Sequence, residues 1–190
     1  MKGYTTEAKV ENYLLIDIDS WFSSQITGWI EVVEKFIDNF TNRNFKADAA
    51  ASEKLYDGDG SNSLLIDDCV EITKLEIDEE ELKEVDEEFY SYPANDECKD
   101  EIQLPSAVFT EGYQNVAITA KWGFSVAVPA DIDFAATVLL AGIINQSLPH
   151  EGEVQSMAVG SFQVSYKTEQ QQSDYDKAMK ILESYKKFTF

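Results

Sequence analysis

The chain has 190 residues and carries 36 Asp and Glu against 15 Lys and Arg, a formal net charge of −21. That balance excludes a protein that embraces nucleic acid through its phosphates, which requires positive charge, and it suits an anionic membrane surface poorly. An apolar fraction of 44% with 12% aromatic residues excludes a disordered chain and is enough for one sizeable core.

In chain order, the first expected element is a helix over residues 5–15. Thr5 or Thr6 caps it, Glu7 lies in the first turn where the helix dipole favours an anion, and Val10, Tyr13 and Leu14 form one apolar stripe. The second helix is the clearest: Ile26, Trp29, Ile30, Val33, Ile37 and Phe40 recur at the spacing of one buried face, with Glu31, Glu34, Lys35 and Asp38 assigned to the other. Beyond residue 53 the pattern turns strand-like. Lys54-Leu55-Tyr56 and Leu64-Leu65-Ile66 flank a Gly/Asp/Asn cluster, which predicts a hairpin between them. Ile72, Leu75 and Ile77 predict a further strand. An acidic block over 76–88 follows, with nine acids against Lys83 alone, and reads as a solvated loop or hairpin tip. Residues 89–93 restore a strand, and Val116, Ile118, Ala120 and Trp122 alternate as in a half-buried one.

Pro129 opens a third helix with Asp131 and Asp133 in its first turn. Ile132, Ala135, Ala136, Val138, Leu139, Leu140, Ile143 and Ile144 cover almost its whole circumference, so it belongs in the core or at a contact between subunits. Phe162, Val164 and Tyr166 alternate as a strand. The stretch 169–172 reads as a polar link, Ser173 as the cap of a last helix, and Tyr175, Met179, Leu182 and Tyr185 as its stripe. The expected architecture is α+β: a helical bundle of two N-terminal helices, a central apolar helix and a C-terminal helix, with an inserted antiparallel β-rich sub-domain. As a single domain over 1–190, its helical core spans 1–48 and 124–190 and its β-rich insert 49–123.

No apolar run approaches the roughly 20 residues of a membrane span, and residues 134–144 read as a buried helix. The N-terminal residues lack an apolar signal core, so no export signal is expected. Cys69 and Cys98 form no CxxC pair and His150 is the sole histidine, which argues against Cys/His zinc chemistry and leaves reduced thiols in a cytoplasmic setting as the expectation. No catalytic residue and no cofactor site is expected. Asp57, Asp59, Ser61 and Asp68 fall at positions 1, 3, 5 and 12 of a calcium loop, but Asn62 stands where Gly is required, so a turn is the preferred reading. Gly58-x-Gly60 has no third glycine and opens no helix. No G-x-S-x-G elbow accompanies His150. Tyr185, Lys186, Lys187, Phe188 and Phe190 place aromatics beside positive charge, a composition that suits either folding back onto the core or docking on a partner.

Three groups of residues together resemble the head-to-tail connector (adaptor, or head-completion) proteins of tailed bacteriophages. They are the helix pair carrying Val10, Tyr13 and Leu14, then Ile26-x-x-Trp29-Ile30-x-x-Val33, ending in Phe40-Thr41-Asn42-Arg43-Asn44-Phe45; the run 55–66; and Val116-x-Ile118-x-Ala120-x-Trp122-Gly123 leading to Val128-Pro129-Ala130-Asp131-Ile132. The acidic stretch 76–101 and the C-terminal helix depart from that pattern. The resemblance implies a non-enzymatic structural subunit of the virion, assembled in the host cytoplasm and placed at the head–tail interface. It further implies a ring of about a dozen copies, docked on the portal protein, extending the DNA channel and giving the tail or a tail-completion protein its platform. On that reading the 185–190 segment contacts the portal. Asp78, Glu79, Glu80, Glu81 and Glu84 line the channel, and DNA passes without specific binding. The alternative is an acidic binding module, either a calcium-stabilised domain or a DNA-mimicking inhibitor.

Overall fold

The computed structural model describes residues 1–18, 23–82, 84, 88–147, 155–159, 162–166 and 168–187. Its elements in chain order are helices α1 (Glu7–Leu14) and α2 (Ser23–Thr41), strands β1 (Ser52–Gly58), β2 (Ser63–Ile77), β3 (Glu80–Leu82), β4 (Tyr90–Tyr92), β5 (Lys99–Gln103) and β6 (Gly112–Trp122), helix α3 (Ala130–Ser147), strands β7 (Gln155–Val159) and β8 (Phe162–Tyr166), and helix α4 (Glu169–Ser184). Four helices and a six-stranded antiparallel sheet among the described residues make the protein α+β. The chain divides into two units, one formed by Met1–Arg43 and Val128–Phe190, the other by Asn44–Ala127.

In the first unit α3 packs against α1, α2, α4 and β8. Its apolar circumference has a physical outlet there: Ile132 and every residue from Ala135 to Asn145 are buried. A helix so enclosed by its own unit offers almost no side chain to a neighbouring subunit. Thr6 caps α1 by accepting the Lys9 N–H, while Thr5 is buried and shares a 2.7 Å hydrogen bond with Thr137 of α3. Helix α2 buries Ile26, Ile30, Val33 and Ile37 as its periodicity requires. Glu34 departs from its expected solvent face and is 4% exposed. Its carboxylate accepts the N–H groups of Lys2 (2.8 Å), Gly3 (2.6 Å) and Tyr4 (3.1 Å), which satisfies the buried charge and ties the N-terminal residues to α2. Helix α4 starts a turn earlier than its polar sequence suggests. Thr168, not Ser173, is the cap, accepting the Gln171 N–H at 3.1 Å, and Glu169 lies in the first turn.

The second unit is the sheet, in the order β1-β6-β2-β5-β4 with β3 paired to the far end of β2. This overturns the hairpin expected between β1 and β2: the two share no ladder, because β6 pairs with both. The residues between them are held from elsewhere, with Gly60 N–H donating to the Phe109 carbonyl and Phe109 N–H to that of Ser61, each at 2.8 Å. The segments 64–66 and 71–77 are one strand. It begins against β5 and finishes against β6, with register shifts after Leu65, Cys69 and Ile72 that let it change partners. Leu64, Ile66, Leu75, Ile102, Leu104, Phe109, Val116, Ile118, Ala120 and Trp122 form the buried core of this unit.

Candidate functional site

The acidic block builds the end of the sheet. Strands β2 and β3 pair Ile77 with Glu80, so only Asp78 and Glu79 form the turn. Both hold positive φ, 51° and 70°, as a type I′ hairpin requires. Asp78, Glu79, Glu80, Glu81 and Glu84 are all exposed. Within this hairpin the described counter-charge is Lys74, 2.7 Å from Glu76, whose hydrogen bond to that carboxylate raises the lysine's pKa. Lys83 lies outside the described residues.

The turn is fastened to the start of β6. Asp78 donates its N–H to the Asn115 carbonyl at 2.9 Å, and Asn115 Nδ2 donates to Asp78 Oδ1 at 3.2 Å. Asp57 Oδ1 accepts the Gln114 N–H at 2.7 Å beside it. The 57–68 residues therefore distribute their oxygens. Asp59 Oδ1 accepts the Ser61 N–H at 2.8 Å, and hydrogen bonds from Ser61 hold the Asp59 carboxyl below its ordinary pKa. The Ser61 hydroxyl donates to the Ser63 carbonyl, and Asp68 is buried. Among the described residues no three His, Cys, Asp or Glu side chains gather as metal ligands would.

At the other end of the chain, Tyr185, Lys186 and Lys187 lie half-buried along their own unit. The Tyr185 hydroxyl donates to Asp131 Oδ2 at 2.9 Å, and burial together with that carboxylate pushes its pKa up to about 12. Arg43 Nε donates to the Tyr185 carbonyl, the Lys186 ammonium stands 4.1 Å from the Phe40 ring centroid, and Lys187 N–H donates to the Thr41 carbonyl. Phe188, Phe190 and His150 lie outside the described residues. Cys69 and Cys98 are not joined in a disulfide. No helix among the described residues is long and apolar enough to cross a membrane.

Two features of this site escaped the sequence reading. Asn115, the side chain that fastens the turn, sits in an ordinary-looking strand start, and only Gly58 and Gly112 on facing strands hint at a close approach there. The short strand β3 hides inside the acidic block because two of its three residues are Glu.

The site is thus an exposed, mainly acidic hairpin on a braced antiparallel sheet. The chain belongs to the head completion protein family, whose model matches residues 4–188. That family consists of structural head–tail connector proteins of bacteriophages and is not an enzyme class. Two solved structures share the fold. A chain of the "Neck of empty GTA particle computed with C6 symmetry" aligns with a TM-score of 0.57 at 15% identity, covering 96% of this chain and 89% of that one. A chain of the "Neck of native GTA particle computed with C12 symmetry" gives 0.53 at 14% identity, covering 96% and 88%. No curated protein matches the chain.

Proposed function

We propose that this protein is the repeating subunit of a head–tail connector ring of about a dozen copies, docked on the portal protein. In this reading the ring extends the DNA channel and provides the platform for the tail or a tail-completion protein. The observation that carries the reading is the family match over nearly the whole chain. The neck particles with six-fold and twelve-fold symmetry that share the fold support a ring. A closed ring needs two different contact faces on each subunit. The helical unit with its β-rich insert over 49–123 supplies two surfaces of different composition.

The acidic hairpin gives the channel a physical rationale. DNA carries one charge per roughly 1.7 Å of axis, and a bore lined with Lys and Arg holds it by releasing counterions. Asp78, Glu79, Glu80, Glu81 and Glu84 facing the bore repel it and let it pass without specific binding. Tyr185, Lys186, Lys187, Phe188 and Phe190 are the proposed portal contact, with Lys187 and the last residues as its leading part. The subunit assembles in the host cytoplasm and resides at the head–tail interface of the virion. Native mass spectrometry with and without the purified portal protein tests the reading. A closed ring, alone or on the portal, is expected; a monomer that ignores the portal overturns it.

A further inference from the structure

The start of β6 contains a feature that the channel reading does not use. Tyr56 of β1 pairs with Val116 and Gly58 with Gly112, so one residue of β1 faces three of β6, 113–115. A bulge of this kind re-aims a side chain. This one is braced from several sides. Asn115 Oδ1 accepts the Gly58 N–H at 3.0 Å, and Asn115 Nδ2 donates to the Thr110 carbonyl at 2.8 Å as well as to Asp78. Gln114, at φ 51°, is held by Asp57. The flanking glycines leave no room for a side chain: a Cβ on Gly58 meets the Thr110 carbonyl oxygen at 2.0 Å, and one on Gly112 meets Asn115 Cγ at 2.8 Å. The product is Tyr113, 93% exposed, more than any other large apolar side chain among the described residues. Glu111 is exposed two residues before it, and Asp57 and Asp78 hold the bulge through one carboxylate oxygen each.

We infer that Tyr113 is the anchor of a protein-docking surface, and that its partner is a different protein presenting an apolar pocket rimmed by Arg or Lys. An exposed aromatic residue on a braced stretch of backbone has already lost much of its backbone freedom, so less entropy is lost when it binds. Tyr is enriched among the residues that dominate interface energies, and a guanidinium stacks on its face. Charge complementarity selects the partner. The unit that carries Tyr113 holds 21 carboxylates against six Lys, a net −15, and a second copy of the chain brings another −21. The inference rests on the connector reading only for where the partner is sought, among the neighbouring proteins of the same particle.

Two measurements test it. Iodination of Tyr113, read by mass spectrometry, is compared between intact particles and the purified chain. In parallel, a synthetic peptide alternating Arg and Leu is titrated against the wild type, Tyr113→Phe and Tyr113→Ala, with the oligomeric state of each recorded. The expected results are about tenfold suppression of iodination in the particle, about tenfold weaker peptide binding for Tyr113→Ala, near-normal binding for Tyr113→Phe, and an unchanged oligomer. Equal iodination in particles and purified chain overturns the inference, as does equal peptide affinity in Tyr113→Ala. An altered oligomer in that variant overturns it too, by making the contact one between copies. If the chain is missing from particles, the connector reading fails and the peptide titration alone decides the docking surface.

Discussion

The unit formed by Met1–Arg43 and Val128–Phe190 holds 15 acids against nine Lys and Arg over 106 residues, a net −6; the unit Asn44–Ala127 reaches −15 in 84 residues. The first is organised around α3, a helix enclosed on nearly every side. The second packs a core of sheet residues and keeps its described acids at or near the surface, on β strands and at the tip of the β2–β3 hairpin, with Asp68 the buried exception. Stability and surface are thus divided differently. In the helical unit the informative residues are the buried ones. In the sheet unit they are exposed residues held by backbone contrivance: two left-handed acidic turn residues, and a bulge fixed by Asn115. Strongly charged surfaces tolerate substitution; the frames that position them do not.

The largest expected effect lies inside α3. Leu139→Ala, at a fully buried position, is expected to cost about 3–4 kcal/mol in urea unfolding followed by circular dichroism. A cost under about 1 kcal/mol contradicts the enclosure of that helix. Next comes the frame of the sheet unit. Gly58→Ala forces the Thr110 backbone to move and is expected to cost about 2–3 kcal/mol by the same assay. A neutral result breaks the claim that the bulge is rigid.

A smaller effect is alkaline. Tyr13 donates to Asp174 and Tyr185 to Asp131, and burial first, then the carboxylate, raises each phenol to about 12 from 10.0. A group whose pKa is raised on folding contributes stability that is complete below the unfolded value and lost as pH climbs through the folded one. Stability is therefore expected to fall between pH 10 and 12, and to fall less in Tyr185→Phe. Ultraviolet titration of the phenolates checks it; ordinary titration of all tyrosines near 10 contradicts it. Smallest is the acidic tip. Changing Glu79, Glu80 and Glu81 together to Gln is expected to alter stability by no more than about 0.5 kcal/mol, because none is buried. A larger loss in the urea assay means that the tip supports the fold.

Helical spacing in the sequence reveals α2 because a helix buries residues that are near in sequence, and alternation reveals β6 for the same reason; α3 is marked instead by Pro129, its first-turn acids and an apolar run around almost its whole circumference. The pairing of strands is a different matter. Leu55 and Leu64 look like neighbours across a turn, yet Leu55 pairs with Ala117 and Leu64 with Ile102, partners that no local pattern specifies. Glu34 looked solvent-facing because its acceptors' donors come from Lys2, Gly3 and Tyr4, about thirty residues away. The acidic hairpin was legible as charge and as a tip. Its fastening by Asn115 was not, since a side chain's long-range partner leaves no periodic trace.

Electron microscopy of the assembled particle, with this chain traced at the junction of head and tail, tests the central claim most directly. The proposed function predicts a closed ring between portal and tail, with residues 78–81 on the wall of the DNA bore. Absence of the chain from the junction, or a ring whose acidic hairpins face outward into solvent, contradicts it.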